Sequence, residues 1–322
     1  MPKPAALPPL PDLDAMEGVL QRFAARIERD PALAGATLEA PLRVVPGKRG
    51  IIAGRLGGKP AVFRFYLDRP EAHAERDWAE LRRAWTYMST GDHRINAPLA
   101  HAPDLGLVVV ARVAGRPLME RLRGQDAQAA TADLAGAAGW LSKYTAPTEG
   151  RAPVRLDGWF TRVEKAMARQ SYARLRPVEA GILAEMRRIC APHAGGTWRV
   201  AICHGDFHPN NLLARGARLT AIDTGGSAKL PLYKDMARFL AHMGRRGLLA
   251  SGQSAFGVDR AGLDAFATAF ALDPVERDIW LPFMIGVEAL KRVEPAGLST
   301  GRIRQARRFY TALLDGLRAI PA

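Results

Sequence analysis

The spacing of apolar residues changes twice along this chain, and the two changes limit its fold more than any other feature. Leu13, Met16, Leu20, Phe23 and Ile27 fall on one helical stripe, with Asp12 or Asp14 placed to cap it. From about 38 the period shortens: TLEAPLRVV, GIIAGRL and PAVFRFYL alternate or run apolar, separated by PGKRG and GGK, whose glycines suit tight turns. This reads as an antiparallel meander. A helix is expected over about 70–88, followed by strands in INAPLAHA (95–102) and GLVVVARV (106–113). Past AGRPL (114–118) the spacing is helical almost to the end, interrupted at 201–213 and 217–226. A small sheet-rich lobe, 12–112, and a larger helical lobe, 113–322, therefore predict an α+β fold in two parts.

Composition narrows the class. Apolar residues make up 48% and charged residues 24% of the 322, as in a globular protein. No apolar run approaches the ~18 residues of a membrane-spanning helix, and the proline-broken start MPKPAALPPLP lacks a secretory segment. A cytoplasmic protein is expected, with Cys190 and Cys203 as buried thiols. The formal charge of +14 would draw ATP, phosphorylated metabolites, an anionic membrane face or nucleic acid. It is spread without a long basic block, so no nucleic-acid partner is expected, whereas peripheral membrane contact stays open; oligomeric state is not legible.

Chemistry concentrates in AICHGDFHPNNLL, residues 201–213. Zinc on His204 and His208 would need a helix there, but Gly205 lies between them and Pro209 follows. A two-metal phosphoesterase on Asp206 and His208 would need further carboxylates and histidines in clusters that the sequence does not offer. Phosphoryl transfer asks for less: a carboxylate to orient a hydroxyl, an amide oxygen for Mg²⁺, and a second carboxylate for the same metal. His204-Gly205-Asp206 with Asn211 has the spacing of the kinase catalytic loop, with glycine where arginine would stand. Residues 211–226 then read as strand, turn, strand, returning Asp223 toward Asn211. AIDTGG also has the Asp-Thr-Gly of aspartic proteases, but those enzymes need two such aspartates and one copy occurs here.

CHGDFHPNNLL, LTAIDTGG and PLYKDMARFL together resemble the aminoglycoside phosphotransferase and choline kinase-like family of small-molecule kinases, and VARVAGRPL resembles the family's hinge. The resemblance spans about 40–240. It implies the bilobal protein-kinase-like fold, with an antiparallel-sheet N-lobe and a helical C-lobe carrying the catalytic loop (202–213) and the metal-binding turn (223–225). It further implies ATP, Mg²⁺ and transfer of the γ-phosphoryl group to a hydroxyl of a sugar, amino sugar or amino alcohol. In that reading Asp206 is the catalytic base or hydroxyl-orienting group, and Asn211 and Asp223 hold the metal, Asn210 being the rival at poorer spacing. His204 braces the loop, His208 shapes its mouth, and Asp235 bonds the loop backbone from the next helix.

The nucleotide side departs from the family pattern. Arg64 stands where the family keeps an ATP-anchoring lysine, and a guanidinium fork is not an ammonium. Its acid partner is expected among Glu75, Asp77 and Glu80, with Asp77 best placed before a leucine. Lys48, in PGKRG, could touch phosphate, and by resemblance the backbone near Val110 to Val113 meets adenine. The weak glycine loop and Arg64 keep a second reading open, a nucleotide-binding or regulatory pseudokinase. Cationic acceptors would require acids, for which Asp259, Asp264, Asp273, Glu276, Asp278, Glu288 and Glu294 are available, but the net charge leans toward a neutral or anionic acceptor.

Overall fold

A computed structural model describes residues 13–321 and, in the first helix, the side chains from Met16 onward. The cap expected from Asp12 or Asp14, and Leu13 as a core side chain, lie outside the described residues. The chain forms two compact units, one of residues up to 89 together with 95–114, the other of 90–94 and 115–322. The short segment 90–94 thus belongs with the second unit, although the sequence pattern groups it with the first.

The first unit contains helix α1 (Leu13–Ile27), strands β1 (Thr37–Val45), β2 (Arg49–Leu56) and β3 (Lys59–Tyr66), and helix α2 (Pro70–Met88). After β4 (His93–Ile95) come β5 (Pro98–Ala102) and β6 (Leu107–Ala111). The sheet order is β1-β2-β3-β6-β5, antiparallel throughout. Alternation along β3 decides what each face carries. Phe63 and Phe65 point to α1, where both meet the Phe23 ring edge-on at 5.6 and 5.4 Å. Their neighbours Arg64 and Tyr66 turn the other way, to α2.

The second unit is mostly helical: α3 (Leu118–Arg123) follows the two-residue strand β7 (Arg116–Pro117), then α4 (Ala127–Thr145), α5 (Asp157–Met167) and α6 (Arg176–Cys190). Strand β8 (Gly150–Pro153) lies between α4 and α5. Next come β9 (Thr197–Cys203), β10 (Leu212–Arg215), β11 (Arg218–Ala221) and β12 (Ala228–Pro231), with helices α7 (Tyr233–Gly244), α8 (Arg260–Ala269), α9 (Leu281–Leu290) and α10 (Thr300–Arg318) closing the chain. Strands β8, β9 and β12 form a small antiparallel sheet that the helical spacing does not announce. Helices α7 and α9 are buried along their whole length. For α9, LPFMIGVEAL, that follows from having apolar residues on every side, as a central helix requires. Both cysteines are free and buried, and burial pushes the Cys190 thiol up to about 12. Among the described residues no helix is long and apolar enough to cross a membrane.

Candidate active site

The site is built on the stretch that leaves β9. Phe207 is fully buried, stacked at 5.4 Å on both Trp140 of α4 and Phe239 of α7. This aromatic plug fixes the loop, so that Asp206, beside it, keeps a side chain 42% exposed. His204 is fully buried and its Nε2 lies 3.1 Å from the Ile222 carbonyl, so that nitrogen carries the proton and donates. Burial lowers its pKa, which keeps the ring neutral.

Gly205 explains the missing arginine. Its φ is +85°, and a Cβ there would lie 2.2 Å from the Gly226 carbonyl oxygen, so no side chain fits without moving the backbone. Its N–H donates to Asp235 Oδ2 at 3.1 Å and its carbonyl accepts from Lys234 Nζ, both groups at the start of α7. Lys234 and Asp235 are themselves paired at 3.3 Å.

Residues 209–211 form one short helical turn that leads into β10. The β10–β11 hairpin pairs Leu212 with Ala221, and the Ile222 N–H donates to the Asn211 carbonyl at 2.9 Å. Asp223 is therefore the residue next to the one paired with Asn211, and it adopts the left-handed conformation, φ 63°. Asn211 Nδ2 donates to the Asp206 carbonyl at 3.0 Å. That bond engages the donor end of the amide and leaves Oδ1, its acceptor end, outside it. Asn210 is used differently: its Nδ2 lies 3.4 Å from His242 Nε2. If Asn211 holds a metal, as the sequence leads one to expect, Asn211→Ala should abolish Mg²⁺-dependent turnover while Asn210→Ala retains most of it; steady-state rates against Mg²⁺ concentration measure the difference, and the reverse ranking would point to Asn210 instead.

The Asp206 carboxylate faces cations that the motif does not contain. Oδ1 accepts from Arg238 Nε at 2.9 Å and lies 3.5 Å from Arg292 Nη2, while Oδ2 lies 3.5 Å from His208 Nε2. Burial works to raise the Asp206 pKa, but His208 and Arg238 overcome it and hold the carboxyl far below the usual carboxylate range. His208 in turn stacks on His242 at 4.4 Å. Arg238 had a faint signal in sequence, since it lies three residues after Asp235 on the same helix face. Arg292 had none, being 86 residues away and just past the end of α9.

In the first unit, the structure brings Arg64 to Asp77, with Nη1 at 2.9 and 3.3 Å from the two carboxylate oxygens. The Tyr66 hydroxyl also donates to Asp77, at 2.8 Å. Glu80 pairs instead with Arg83 on its own helix. Lys48 is exposed in the β1–β2 turn, and its carbonyl accepts from Leu67 N–H at 2.7 Å. Val110 lies inside β6 opposite Val62 and Pro98, whereas Val113 lies beyond the strand, half-buried, and no backbone hydrogen bond engages it among those described. Zinc and two-metal readings need at least three gathered His, Cys, Asp or Glu side chains; among the described residues no such group exists.

The sequence pattern of the phosphotransferase enzyme family matches residues 51–268. No curated protein matches the chain in a sequence search. Among solved structures, an aminoglycoside phosphotransferase described as putative, from Ralstonia eutropha, superposes with a TM-score of 0.59 at 14% identity, over 95% of this chain and 97% of that one. The choline kinase LicA from Streptococcus pneumoniae gives 0.55 at 14% identity, over 93% and 99%. An amicoumacin kinase in complex with AMP-PNP and Ca²⁺ gives 0.55 at 12% identity, over 94% and 96%. The chain shares their fold, a mixed helix and sheet architecture of the kinase type.

Proposed function

We propose that this chain, which belongs to the phosphotransferase enzyme family, moves the γ-phosphoryl group of ATP to a hydroxyl of a small molecule with Mg²⁺ as cofactor. One observation carries the reading: the β10–β11 register sets Asp223 beside the residue bonded to Asn211, whose Nδ2 is held by the Asp206 carbonyl, leaving Oδ1 as the amide's acceptor. One amide oxygen and one carboxylate form a hard, sparse donor set, the kind Mg²⁺ accepts when it keeps waters and substrate phosphates as its other ligands. When bound, the metal would neutralise charge on the triphosphate oxygens. The solved amicoumacin kinase neighbour, which holds AMP-PNP and Ca²⁺, supports a nucleotide and a divalent cation in this fold.

Asp206 would accept a hydrogen bond from the incoming hydroxyl and aim its oxygen at the γ-phosphorus. The new O–P bond forms as the bond from that phosphorus to the bridging oxygen breaks, ADP leaves, and the hydroxyl proton passes to the carboxylate. Because Arg238 and His208 keep Asp206 ionised, it is a weak base, suited to a loose transition state in which the proton moves late. His204, Lys234 and Asp235 hold the loop backbone in place, and His208 helps set the carboxylate. In the first unit we assign Arg64, oriented by Asp77, to the nucleotide phosphates, Lys48 to the same anions, and the backbone near Val110 to Val113 to the base.

The sign of the electrostatics gives a pH test. A strongly depressed Asp206 stays charged through the ordinary carboxylate range, so its protonation should not produce an acid limb in kcat above about pH 4. Arg238→Met removes the closest cation and should move such a limb to higher pH, with Arg238→Lys intermediate. An unshifted profile in the Met variant would detach Arg238 from the titration of Asp206. The function itself is tested by incubating the protein with ATP, Mg²⁺ and a library of hydroxyl-bearing metabolites, and following ADP and phosphate ester together. A matched rise in both is expected for at least one compound; phosphate released from a model ester without nucleotide would instead favour a phosphoesterase.

A further inference from the structure

The seven acids that the sequence offers for a cationic acceptor are each paired elsewhere. Asp259 caps α8 through Gly262 N–H at 3.0 Å and binds Ser251, and Asp273 accepts from Glu276 N–H at 2.9 Å. Glu276 takes the Tyr233 hydroxyl at 2.7 Å and faces Arg199. Asp264 and Asp278 pair with Arg260 and Arg277 on the surface. Glu294 holds Arg245 at 2.5 Å, and Glu288, near the catalytic loop, is buried under Lys291 at 2.7 Å and Arg292 at 3.4 Å.

What faces Asp206 is positive. Arg238, His242 and Arg246 follow one another at four-residue intervals, so they lie along one face of α7 and the turn that extends it. Arg238 stands at the Asp206 end, joined there by Arg292, and Arg246, anchored at 3.0 Å to the His242 carbonyl, is exposed at the far end. The pKa values agree with a crowded ridge. Arg246 is pushed down to about 10, by desolvation first and then by Arg302, Arg245, Arg238 and Arg123, and His242 to about 2, by burial and then Arg246.

We propose that the acceptor whose hydroxyl meets Asp206 carries its own negative charge, a phosphate or a carboxylate, seated on the Arg238–Arg246 ridge beside Arg292. This deepens the phosphotransferase reading and rests on it. A cationic acceptor would have to place its ammonium groups among guanidiniums, the seven acids above being already paired. An anionic one meets donors that match planar and tetrahedral oxyanions. The transfer step is unchanged: the anion positions the molecule, and its hydroxyl, not the charged group, becomes the new phosphate ester.

The test uses the full chain with Mg²⁺ and ATP, reading ADP release with glucose, glucosamine, glucuronate and glucose 6-phosphate, acceptors that share ring hydroxyls and differ in charge. An anionic acceptor should exceed glucosamine by about tenfold or more in kcat/KM, because like charges brought together are strongly disfavoured. The two anions separate carboxylate from phosphate recognition. Arg246→Glu, or Arg302→Glu should the first fold poorly, should lower kcat/KM for the anion by about tenfold more than for glucose. Glucose or glucosamine outrunning both anions, no anion raising ADP release above the rate without acceptor, or a charge reversal without this selective loss would overturn the proposal. If ADP is released slowly without acceptor, and that release needs Mg²⁺, such a failure concerns the acceptor alone. If no Mg²⁺-dependent ADP release occurs at all, the phosphotransferase reading fails with it.

Discussion

Asp206→Asn is expected to lower kcat by about 10²–10⁴-fold, the range for a positioned group that handles a proton, while leaving the affinity for Mg²⁺-ATP close to that of the wild type. Asparagine matches the aspartate in size and can still accept from Arg238, so the loop, plugged by Phe207 and tied by Asp235 to Gly205, should keep its shape. The substitution removes the negative charge that we propose orients the hydroxyl, and with it the proposed site for its proton. Single-turnover rates and nucleotide titration measure the two quantities separately. Unchanged turnover would take Asp206 out of the chemistry, and a large parallel loss of nucleotide affinity would mean that the substitution had disturbed the metal side of the loop.

The second large effect concerns stability. Arg64 and Asp77 are buried to 5% and 1% exposure, and the pair is completed by the Tyr66 hydroxyl. Arg64→Ala would leave the Asp77 carboxylate buried with the hydroxyl alone, at a cost of about 3–5 kcal/mol. Replacing both members with apolar residues, Arg64→Met with Asp77→Leu, should recover most of that stability, since well-packed apolar groups often substitute for a buried ion pair. Under the proposed assignment of Arg64 to the nucleotide phosphates, the double variant is expected to remain weak in ATP binding, because that charge is gone. Denaturant midpoints and nucleotide affinity, measured on the same three proteins, separate the structural and functional roles. Recovery of both in the double variant would reduce the pair to a structural one. Arg64→Lys is the milder probe: it keeps the charge but not the fork, and should raise the KM for ATP.

How much of this was legible in sequence depended on how local each cause was. The strands of the first unit are defined by alternation and glycine turns within their own residues, and α2 begins at Pro70, at the start of its expected range. The loop chemistry was equally local: Asp206, Asn211 and Asp223 lie within 18 residues of one another, and one hairpin fixes their relation. Among Glu75, Asp77 and Glu80 the sequence favoured Asp77 only by its place before Leu81, as in the family, and left the partner open; Arg83, three residues after Glu80, accounts for that acid. Strands β8 and β12 escaped notice because each is four residues long, contains proline and is held only through β9. The cationic surroundings of Asp206 come from α7 and from just past the end of α9, and no period or motif joins Arg292 to a loop so far upstream. Sequence charge alone leaned toward a neutral or anionic acceptor, and the pairing of the seven acids weighed for a cationic one turned that leaning into a definite proposal.

The most direct test of the central claim is calorimetric titration of ATP at increasing Mg²⁺ into the wild type, Asp223→Asn and Asp206→Asn. The account predicts that Mg²⁺ strengthens ATP binding to the wild type and to Asp206→Asn, and that this enhancement is lost in Asp223→Asn. An enhancement that survives in Asp223→Asn would place the metal elsewhere and contradict the account.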